Sequence, residues 1–309
     1  MLNNAIILSA GFGTRLKPLT DFVPKSLFPI VGKPALEIVM ERLANRGVNN
    51  FFINAHHLAE KIVNTVPVLT PETAETTVVL EKEKILGTAG GIANIFNKMN
   101  LPQETILVHN GDIIENFDLE SAFRFHRDND FLVTLIVIDN PRVNSVLTDG
   151  EIVIGFDTAP YPSQSAENRW TYSGVAFLEP KIISTFPNDR FSSLTECIQP
   201  FLNKKCIGVR YEKNFWCDFG TPADYLELHR KILVEGKFRI SGAGENIWLD
   251  ENSNIPDTVE IYGFCAIGKN VHIYSGAEIA NSVIWDNSIV ENKTYINSII
   301  SPYGVVEVV

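Results

Sequence analysis

Along the first two-thirds of the chain, short apolar runs alternate with amphipathic segments. Residues 5–8 form an apolar run that predicts a buried strand, and residues 34–46 predict a helix with its apolar side chains on one face. This alternation continues to residue 138. It predicts strands at 50–54, 76–80, 105–109 and 131–138, and helices at 59–66, 89–98 and 119–127. Such an order is typical of an α/β fold, a mostly parallel sheet with helices on both faces.

The pattern changes beyond residue 150. Residues 152–216 read as strands and shorter helices, which we interpret as an insertion that covers the open edge of the sheet. Pro67 is expected to end the helix before it, because proline cannot donate the next backbone hydrogen bond. Residues 222–235 predict a helix that begins with proline, and residues 236–244 predict a linker.

The C-terminal stretch has a different period. Isoleucines recur there at intervals of six residues: Ile255, Ile261, Ile267, Ile273 and Ile279. Hexapeptide spacing resembles that of the left-handed β-helix of hexapeptide-repeat proteins. The register loosens after this run, and an ordinary β-hairpin domain is the alternative. Because each coil buries apolar area only against its neighbours, the repeat suggests an assembly surface, and we expect a homo-oligomer.

Two domains follow from these patterns. We expect a Rossmann-like mixed sheet flanked by helices over residues 1–236, and a short left-handed β-helix over residues 245–309.

Charge and hydropathy narrow the class of protein. The formal net charge of −11 argues against binding of nucleic acid through a basic surface. An anionic ligand must then be held by a few local cations and backbone amides. The N-terminus lacks the pattern of a signal peptide, and no stretch approaches the ~18 apolar residues of a membrane span. We therefore expect a cytoplasmic protein.

A glycine-rich segment follows the first predicted strand directly. It reads SAGFGTRLKPLT over residues 9–20, and Gly11 and Gly13 let the backbone turn tightly and approach a ligand. Successive amides in such a turn point into one concavity, which binds phosphate oxygens. Arg15 adds a permanent cation whose fork fits phosphate. Lys25, ten residues further along the chain, is a second candidate cation.

Two aspartates are candidate magnesium ligands. Asp112 follows the predicted strand 105–109, and Asp218 follows a short apolar run. Mg²⁺ prefers oxygen ligands and is commonly held by one or two carboxylates plus phosphate oxygens. Either aspartate alone would be interpreted as a turn or capping residue, and only the fold can bring the two together.

Five separated motifs resemble those of one family. GFGTRLKPLT followed by PKSL and GKP resembles the signature of sugar-1-phosphate nucleotidylyltransferases, which include mannose-1-phosphate guanylyltransferases and N-acetylmuramate-1-phosphate uridylyltransferase. The resemblance continues through LGTAGG (86–91), NGD (110–112), YSGVAF (172–177) and WCDFGT (216–221), and covers about residues 4–235. It implies a GT-A-like nucleotidyltransferase fold, an NTP and a sugar 1-phosphate as substrates, and Mg²⁺ as the cofactor.

The resemblance also implies roles for individual residues. The catalytic cations would be Arg15 and Lys25. Nucleotide-binding positions follow from the glycine-rich loop, the LGTAGG segment and the NGD motif: Ser9, Ala10, Gly11, Gly13, Thr14, Gly87, Thr88, Gly90, Asn110 and Gly111. The sugar phosphate would contact Tyr172, Gly174 and Glu196. The metal ligands would be Asp112 and Asp218.

One difference between this sequence and the family concerns the residue that binds the sugar phosphate. Many members carry Glu-Lys-Pro after the strand equivalent to residues 151–156, and that lysine binds the sugar phosphate. This chain has Asp-Thr-Ala-Pro at 157–160 instead, so Lys25, the metal or another cation such as Arg169 must take over. The missing lysine favours the N-acetylmuramate-1-phosphate branch, whereas the hexapeptide tail favours the mannose-1-phosphate branch. The base and the sugar therefore stay open.

Two other functions compete with this interpretation. A catalytically idle homologue with a regulatory or assembly role would also carry a repeat tail, although this chain keeps the glycine-rich loop and both aspartates. A nucleotidyltransferase for another phosphorylated acceptor, such as phosphocholine, would need an aromatic pocket for the acceptor's cation. Trp170, Tyr172 and Trp216 could supply that pocket.

Overall fold

The computed structural model describes residues 2–101, 103–141, 143–157, 168–240 and 246–308. Its internal contacts divide the chain into two compact units. We call Met1–Gly11 with Val39–Trp216 the sheet unit, and Phe12–Ile38 with Cys217–Val309 the loop unit. This division assigns residues 12–38 to the same unit as the C-terminal part of the chain. The sequence-based division at residues 236 and 245 stays a prediction.

The core of the sheet unit is a nine-stranded sheet with the order β3-β2-β1-β4-β8-β5-β9-β7-β6 over the residues described. Its strands are β1 (Asn4–Leu8), β2 (Asn50–Ala55), β3 (Glu75–Leu80), β4 (Ile106–Asn110), β5 (Val133–Ile138), β6 (Val146–Asp149), β7 (Ile152–Phe156), β8 (Arg169–Leu178) and β9 (Ile207–Tyr211). A shorter strand covers Ile113–Glu115, and another, Trp216–Asp218, crosses the border between the units. The predicted α/β class with a mixed sheet is confirmed.

Strands β1 to β4 form the parallel part of the sheet. Ile6 pairs with Phe52 on one side and with Val108 on the other, and all three strands run in the same direction. Strand β1 is buried along most of its length, which explains its unbroken apolar run. The carboxyl ends of these strands therefore lie along one edge, where ligands of open α/β sheets usually bind.

Strand β8 lies in the interior of the sheet. It pairs antiparallel with β4 on one side and with β5 on the other. The prediction that residues 152–216 form an insertion covering the open edge is wrong. The run Val175–Phe177 is fully buried, and such a run belongs to a strand covered on both faces.

The helices of the sheet unit follow the predicted positions closely. They are α2 (Ala59–Leu69), α3 (Gly87–Met99), α4 (Leu119–Asp128), α5 (Pro180–Ile183) and α6 (Leu194–Ile198), with a 3-10 helix over Gln199–Lys204, while α1 (Ala35–Ala44) crosses the border between the units. The prediction that Pro67 ends its helix is wrong. Helix α2 continues to Leu69, because the main chain of Thr70 still donates to the carbonyl of Val66 at 3.0 Å.

The loop unit combines the 12–38 segment with the end of the chain. Three short 3-10 helices, Thr14–Leu16, Leu19–Asp21 and Lys25–Leu27, precede a hairpin of Pro29–Ile30 and Lys33–Pro34. Helix α7 (Pro222–Leu233) begins at Thr221, whose side chain forms a capping box with Asp224. The C-terminal strands are β10 (Ile247–Leu249), β11 (Glu260–Ile267), β12 (Glu278–Ile284), β13 (Ser298–Ser301) and β14 (Gly304–Glu307), with shorter ones at His272–Ile273, Ile289–Val290 and Thr294–Ile296.

The C-terminal strands pair in parallel at regular steps. Ile261 lies beside Ile279, a step of 18 residues, which is three hexapeptides. The step has shortened to 16 residues where Val283 pairs with Ile299, in agreement with the loosened register of the sequence. The strand β14 returns antiparallel to β13. Isoleucines of the hexapeptide series pack inside this region, for example Ile267 and Ile279, which are 0% exposed.

Within the described part of the chain, no helix combines the length and hydropathy that a membrane crossing requires.

Candidate active site

A buried chain of hydrogen bonds joins the ends of β1, β2 and β3 in the sheet unit. The backbone N–H of Ser9 donates to Asn54 Oδ1 at 2.7 Å, and Asn54 Nδ2 donates to Glu81 Oε1 at 2.7 Å. The other oxygen of Glu81 accepts the backbone N–H of Leu86 at 2.8 Å. The start of the glycine-rich loop is thereby tied to the start of the LGTAGG segment. Because the Ser9 N–H is used in this chain, its amide is not a donor for phosphate.

The last glycine of LGTAGG makes room for this chain. A Cβ on Gly91 would lie 2.7 Å from Asn54 Nδ2 and 3.0 Å from Glu81 Oε1. Any larger side chain there would push the buried pair apart. Gly91 thus serves the internal hydrogen bonds of the sheet unit, whereas the sequence alone points only to a loop that approaches a nucleotide.

The predicted residues Gly87, Thr88 and Gly90 lie in the first turn of α3, which begins two residues before the predicted start. Gly87 has a positive φ of +71°, and a Cβ there would lie 2.7 Å from the carbonyl oxygen of Ser192. The same carbonyl accepts the backbone N–H of Ala89 at 3.0 Å. A Cβ on Gly90 would meet the carbonyl oxygen of Arg190 at 2.7 Å. These glycines allow the backbone of residues 190–192 to run directly beside the helix start.

The NGD motif occupies the end of β4. The backbone N–H of Gly111 donates to the Leu8 carbonyl at 2.9 Å, so this turn lies against the end of β1. Gly174, with φ +86°, lies against Asn110, and a Cβ on it would come within 2.7 Å of Asn110 Nδ2. Asn110, Gly111 and Gly174, predicted from two separate motifs, are therefore brought together. Asp112 follows directly and is partly exposed.

Behind Asp112 lies a buried cluster of charged side chains. Glu115 is 2% exposed, and its Oε1 lies 3.9 Å from Arg42 Nε, 3.8 Å from Arg46 Nη1 and 3.9 Å from His109 Nε2. Burial lowers the pKa of His109, which outweighs the opposite effects of Glu115 and Asp112. Burial thus favours the neutral form of this imidazole beside the Glu115 carboxylate.

The predicted sugar-site residues have different surroundings. Tyr172 lies on β8 with its hydroxyl buried and without a hydrogen-bond partner among the residues described, and burial raises its pKa. Glu196 is exposed in the first turn of α6, where its backbone N–H donates to the Ser193 side chain at 3.2 Å. A buried hydroxyl without a hydrogen-bond partner lowers the stability of the fold, and a polar group of a ligand next to the Tyr172 hydroxyl would supply the missing partner.

Within the loop unit, Lys25 and Asp218 form an ion pair. Lys25 Nζ lies 2.9 Å from Asp218 Oδ1, with side-chain exposures of 11% and 35%. The ammonium also lies over the ring of Phe219, 4.9 Å from its centroid. Two residues that are 193 positions apart in sequence are thereby joined directly.

Arg15 lies beside the same motif. A Cβ on Gly220 would come within 2.6 Å of Arg15 Nη2, so the guanidinium rests on the glycine of the Asp-Phe-Gly-Thr run. Gly13, with φ +60°, accepts at its carbonyl the hydroxyl of Thr20 at 3.0 Å. A side chain at Gly13 would collide with Thr20. In the loop unit, both predicted catalytic cations and one predicted metal ligand therefore lie beside the same short segment, residues 218–220.

The donor set is compatible with magnesium. The described residues contain no group of three or more His, Cys, Asp or Glu side chains placed to hold a metal. Mg²⁺ held by two carboxylates and substrate phosphates needs no such group. Asp218 remains partly exposed, and a carboxylate has lone-pair sites beyond the one that Lys25 occupies.

Two other sequence-based candidates are engaged elsewhere. Arg169, considered as a replacement for the missing lysine, forms an ion pair with Asp157. Residues 158–160, part of the segment that differs from the family's Glu-Lys-Pro, lie outside the described residues. Of the aromatic residues considered for a phosphocholine pocket, Trp170 packs on Tyr211 with centroids 4.4 Å apart. The indole N–H of Trp216 donates to the Ser173 carbonyl at 2.8 Å.

Asn54 is the residue that sequence reasoning missed most clearly. It is the second-last residue of β2, at the same edge of the sheet as Ser9 and Gly111. A polar residue at the carboxyl end of a predicted strand was the feature of the sequence that could have identified it. Glu81, its partner in the same run of hydrogen bonds, is 4% exposed and bonded inside the protein.

Comparison with known proteins places the chain in a family. Residues 4–235 match the family model described as Nucleotidyl transferase. The mannose-1-phosphate guanylyltransferase of Mycobacterium tuberculosis is 29% identical over 303 residues, which covers 93% of this chain and 81% of that protein. The UTP–glucose-1-phosphate uridylyltransferase of Synechocystis sp. is 27% identical over 329 residues, with coverages of 92% and 83%. A crystal structure of HddC from Yersinia pseudotuberculosis complexed with GMP-PN has a TM-score of 0.60 and 26% identity, and covers 75% of this chain and 100% of that chain.

Proposed function

Because the chain belongs to the nucleotidyl transferase family, we propose that it joins an NTP to a sugar 1-phosphate and releases pyrophosphate. The observation that carries this proposal is the Lys25–Asp218 ion pair beside Arg15, since two cations and a carboxylate from distant motifs converge, a set of groups suited to phosphate and its metal ion. The names of the relatives from M. tuberculosis and Synechocystis, both transferases of this type, support it.

The reaction is an in-line attack of a sugar-phosphate oxygen on the α-phosphorus of the NTP. That oxygen is already ionised near pH 7, so no general base is required, and the protein's task is orientation and neutralisation of charge. Arg15 binds the departing pyrophosphate. Lys25 stabilises the charge that develops on the α-phosphate, which requires its ammonium to serve both Asp218 and the substrate.

The proposed nucleotide-binding residues are those of the three motifs. Ala10, Gly11, Gly13 and Thr14 bind the triphosphate, while Gly87, Thr88 and Gly90 bind the base and ribose. Asn110 and Gly111 line the same site. Ser9 contributes by holding the loop in place, since its amide donates to Asn54. Tyr172, Gly174 and Glu196 bind the sugar, and the unpartnered hydroxyl of Tyr172 supports a polar ligand there.

The proposed metal ligands are Asp112 and Asp218. Bound Mg²⁺ would neutralise phosphate charge during the displacement. Both aspartates are partly exposed carboxylates, which suits a hard cation that keeps some water. Besides its contact with the α-phosphate, Lys25 in this scheme orients the Asp218 carboxylate through their ion pair.

The C-terminal strands are proposed to form a left-handed β-helix over residues 245–309, beside a catalytic domain of residues 1–236. Parallel pairing at a step of 18 residues supports the coil, and the family match over residues 4–235 supports the catalytic domain. The apolar side chains on its surface, such as Ile289 at 62% exposure, suit a homo-oligomer. The cytoplasm is the proposed compartment, where both substrates would be available.

A matrix of common NTPs against sugar 1-phosphates, read out as pyrophosphate release in Mg²⁺, tests the function. GTP with mannose 1-phosphate and UTP with glucose 1-phosphate are the first pairs to test, given the names of the relatives. Phosphocholine belongs in the same matrix. A folded protein that releases no pyrophosphate with any pair would indicate the idle homologue instead.

Asp218→Asn sharpens this test. Losing one preorganised contact to the transition state typically costs ~10²–10³ in turnover, so the variant should lose most activity while it keeps its fold. Asp257→Asn, at an exposed turn of the same unit, is the matched control. Near wild-type turnover of Asp218→Asn would contradict the assignment of this residue.

A further inference from the structure

The segment that carries Arg15 and Lys25 packs against the C-terminal part of its own unit. The ring of Phe28, 0% exposed, meets the ring of Trp285 edge-on with centroids 4.7 Å apart. Trp285 follows β12 directly. Phe28, which comes three residues after Lys25, is therefore packed against the C-terminal strands.

A chain of hydrogen bonds runs beside this aromatic contact. The indole N–H of Trp285 donates to Tyr225 Oη at 3.1 Å, and the Tyr225 hydroxyl donates to the carbonyl of Pro29. Tyr225 is 0% exposed and comes from α7, which follows the Asp218 motif. Tyr225 therefore links the backbone after Lys25 to the C-terminal part of the chain by two directional hydrogen bonds.

Tyr225 also reaches the other partner of Lys25. Its ring lies 5.9 Å from that of Phe219, the residue next to Asp218, over whose ring the Lys25 ammonium lies. The aromatic set Phe28, Phe219, Tyr225 and Trp285 thus reaches Lys25 in two ways, through the ring of Phe219 under its ammonium and through the backbone that leads to Phe28. We call this set the aromatic brace.

Two further contacts fix the same segment independently. Gly32 has φ +80°, and a Cβ there would lie 2.1 Å from the ring of Trp248, on β10. Phe22 stacks on Tyr303 with centroids 4.5 Å apart and an interplanar angle of 3°. Residues before and after Lys25 are therefore both attached to the C-terminal strands.

We propose that the C-terminal strands position the Lys25 ammonium for phosphate, and that Tyr225 and Trp285 are the positioning residues. The hexapeptide region then has a role within its own chain, in addition to any part in assembly. The link to catalysis rests on the proposed function, whereas the effect on the geometry of Lys25 does not. A test can therefore separate the two.

The first measurement is the rate at which acetic anhydride acetylates Lys25 in the full chain, followed residue by residue by peptide mass spectrometry. In the wild type the ammonium is paired and mostly covered. Trp285→Ala and the milder Trp285→Phe, which keeps a ring but loses the N–H donor, should each raise this rate, by roughly five- to thirtyfold for the alanine variant. Lys205, in the sheet unit, serves as the internal reference because its rate should not change.

The second measurement is steady-state kinetics with the substrate pair that the wild type uses. A misplaced Lys25 should lower kcat by up to about 10²-fold with a smaller change in KM, while circular dichroism stays that of a folded protein. Tyr274→Ala, half-exposed in the same C-terminal region, is the control and should match the wild type in both measurements.

The outcomes separate the hypotheses. Faster Lys25 acetylation together with reduced kcat supports the proposal. A folded Trp285→Phe or Tyr225→Phe variant with unchanged acetylation and unchanged kcat overturns it. If the wild type turns over no substrate pair, the proposed function fails, but faster acetylation of Lys25 in the variants would still establish the positioning role.

Discussion

In the sheet unit, the candidate site residues are fixed by buried hydrogen bonds that end on the main chain, as in the run from Ser9 through Asn54 and Glu81 to Leu86. In the loop unit, Lys25 is held by an ion pair with Asp218, and its ammonium lies over the ring of Phe219. The first kind of support is rigid and local to strand ends. The second depends on side chains drawn from distant parts of the sequence. We therefore expect substitutions in the hydrogen-bonded run of the sheet unit to change stability more than turnover, and substitutions of the Lys25–Asp218 pair to change turnover more than stability.

The largest effect is expected at Lys25. Lys25→Met removes the cation proposed to act on the α-phosphate and leaves Asp218 without this partner, so kcat should fall by ~10²–10³. Pyrophosphate release measures the loss. Lys237→Met, at an exposed position of the same unit, should leave kcat unchanged. If Lys25→Met and Lys237→Met had the same kcat, the expectation that the Lys25–Asp218 pair governs turnover would be contradicted.

The next effect is a dependence of loop-unit stability on pH. His229 is 0% exposed, accepts the N–H of Val31 at 3.2 Å, and burial lowers its pKa to about 4. The unfolded chain, with the ordinary pKa of about 6.5, then binds more protons than the folded chain between these two values. Stability is therefore full above about pH 6.5, falls as the pH drops, and has lost about 3 kcal/mol from this residue once the pH is below about 4.

Denaturant titrations at a series of pH values measure that dependence. His109 and His126 in the sheet unit also have a lowered pKa through burial, so the wild-type slope is a sum over several residues. His229→Gln should flatten the slope between pH 6.5 and 4. An unchanged slope in His229→Gln would assign the effect elsewhere.

A smaller effect is expected at Glu81. In Glu81→Gln a single oxygen must replace two, and the amide NH₂ then faces either Asn54 Nδ2 or the N–H of Leu86, donor against donor. One buried donor left without an acceptor costs about 1–3 kcal/mol. Thermal unfolding should show the loss, with Glu83→Gln, an exposed neighbour, as the control. A loss of turnover without any loss of stability would contradict the distinction drawn between the units.

The smallest effect is expected at the stacked pair of Phe22 and Tyr303. Both rings are partly exposed, 40% and 41%, and Tyr303→Ala should cost about 0.5–1.5 kcal/mol. Ile289→Ala, at 62% exposure in the same region, should change the free energy of unfolding by less than about 0.5 kcal/mol. Denaturant titration of both variants at neutral pH distinguishes the two outcomes.

Local pattern was sufficient for most elements of this fold. The parallel strands β1 to β4 and the helices between them follow from apolar periodicity, because β1 and β4 are buried along most of their length and each helix has one apolar face. The position of β8 between β4 and β5 did not follow, because strand order depends on pairing between distant segments. Helix α2 continues beyond Pro67, which lacks a backbone N–H, because the N–H of Thr70 still donates to the carbonyl of Val66 in the last turn.

The candidate site was predictable to a similar degree. Glycines and charged residues stood out in motifs, and the structure joins Lys25 to Asp218 and Asn110 to Gly174. The supporting residues did not stand out. Asn54, Tyr225 and Trp285 are single polar or aromatic residues whose partners are remote in sequence, and only the folded chain identifies those partners.

The polypeptide passes from the sheet unit into the loop unit after Gly11, returns at Val39, and leaves again after Trp216. Recombination between related proteins is constrained by this path. A chimera that exchanges only the tail would combine foreign Trp248, Trp285 and Tyr303 equivalents with a native 12–38 stretch that has not been matched to them. Functional hybrids should therefore be obtained when both pieces are taken from the same parent, a rule that a crossover library scored for pyrophosphate release could examine.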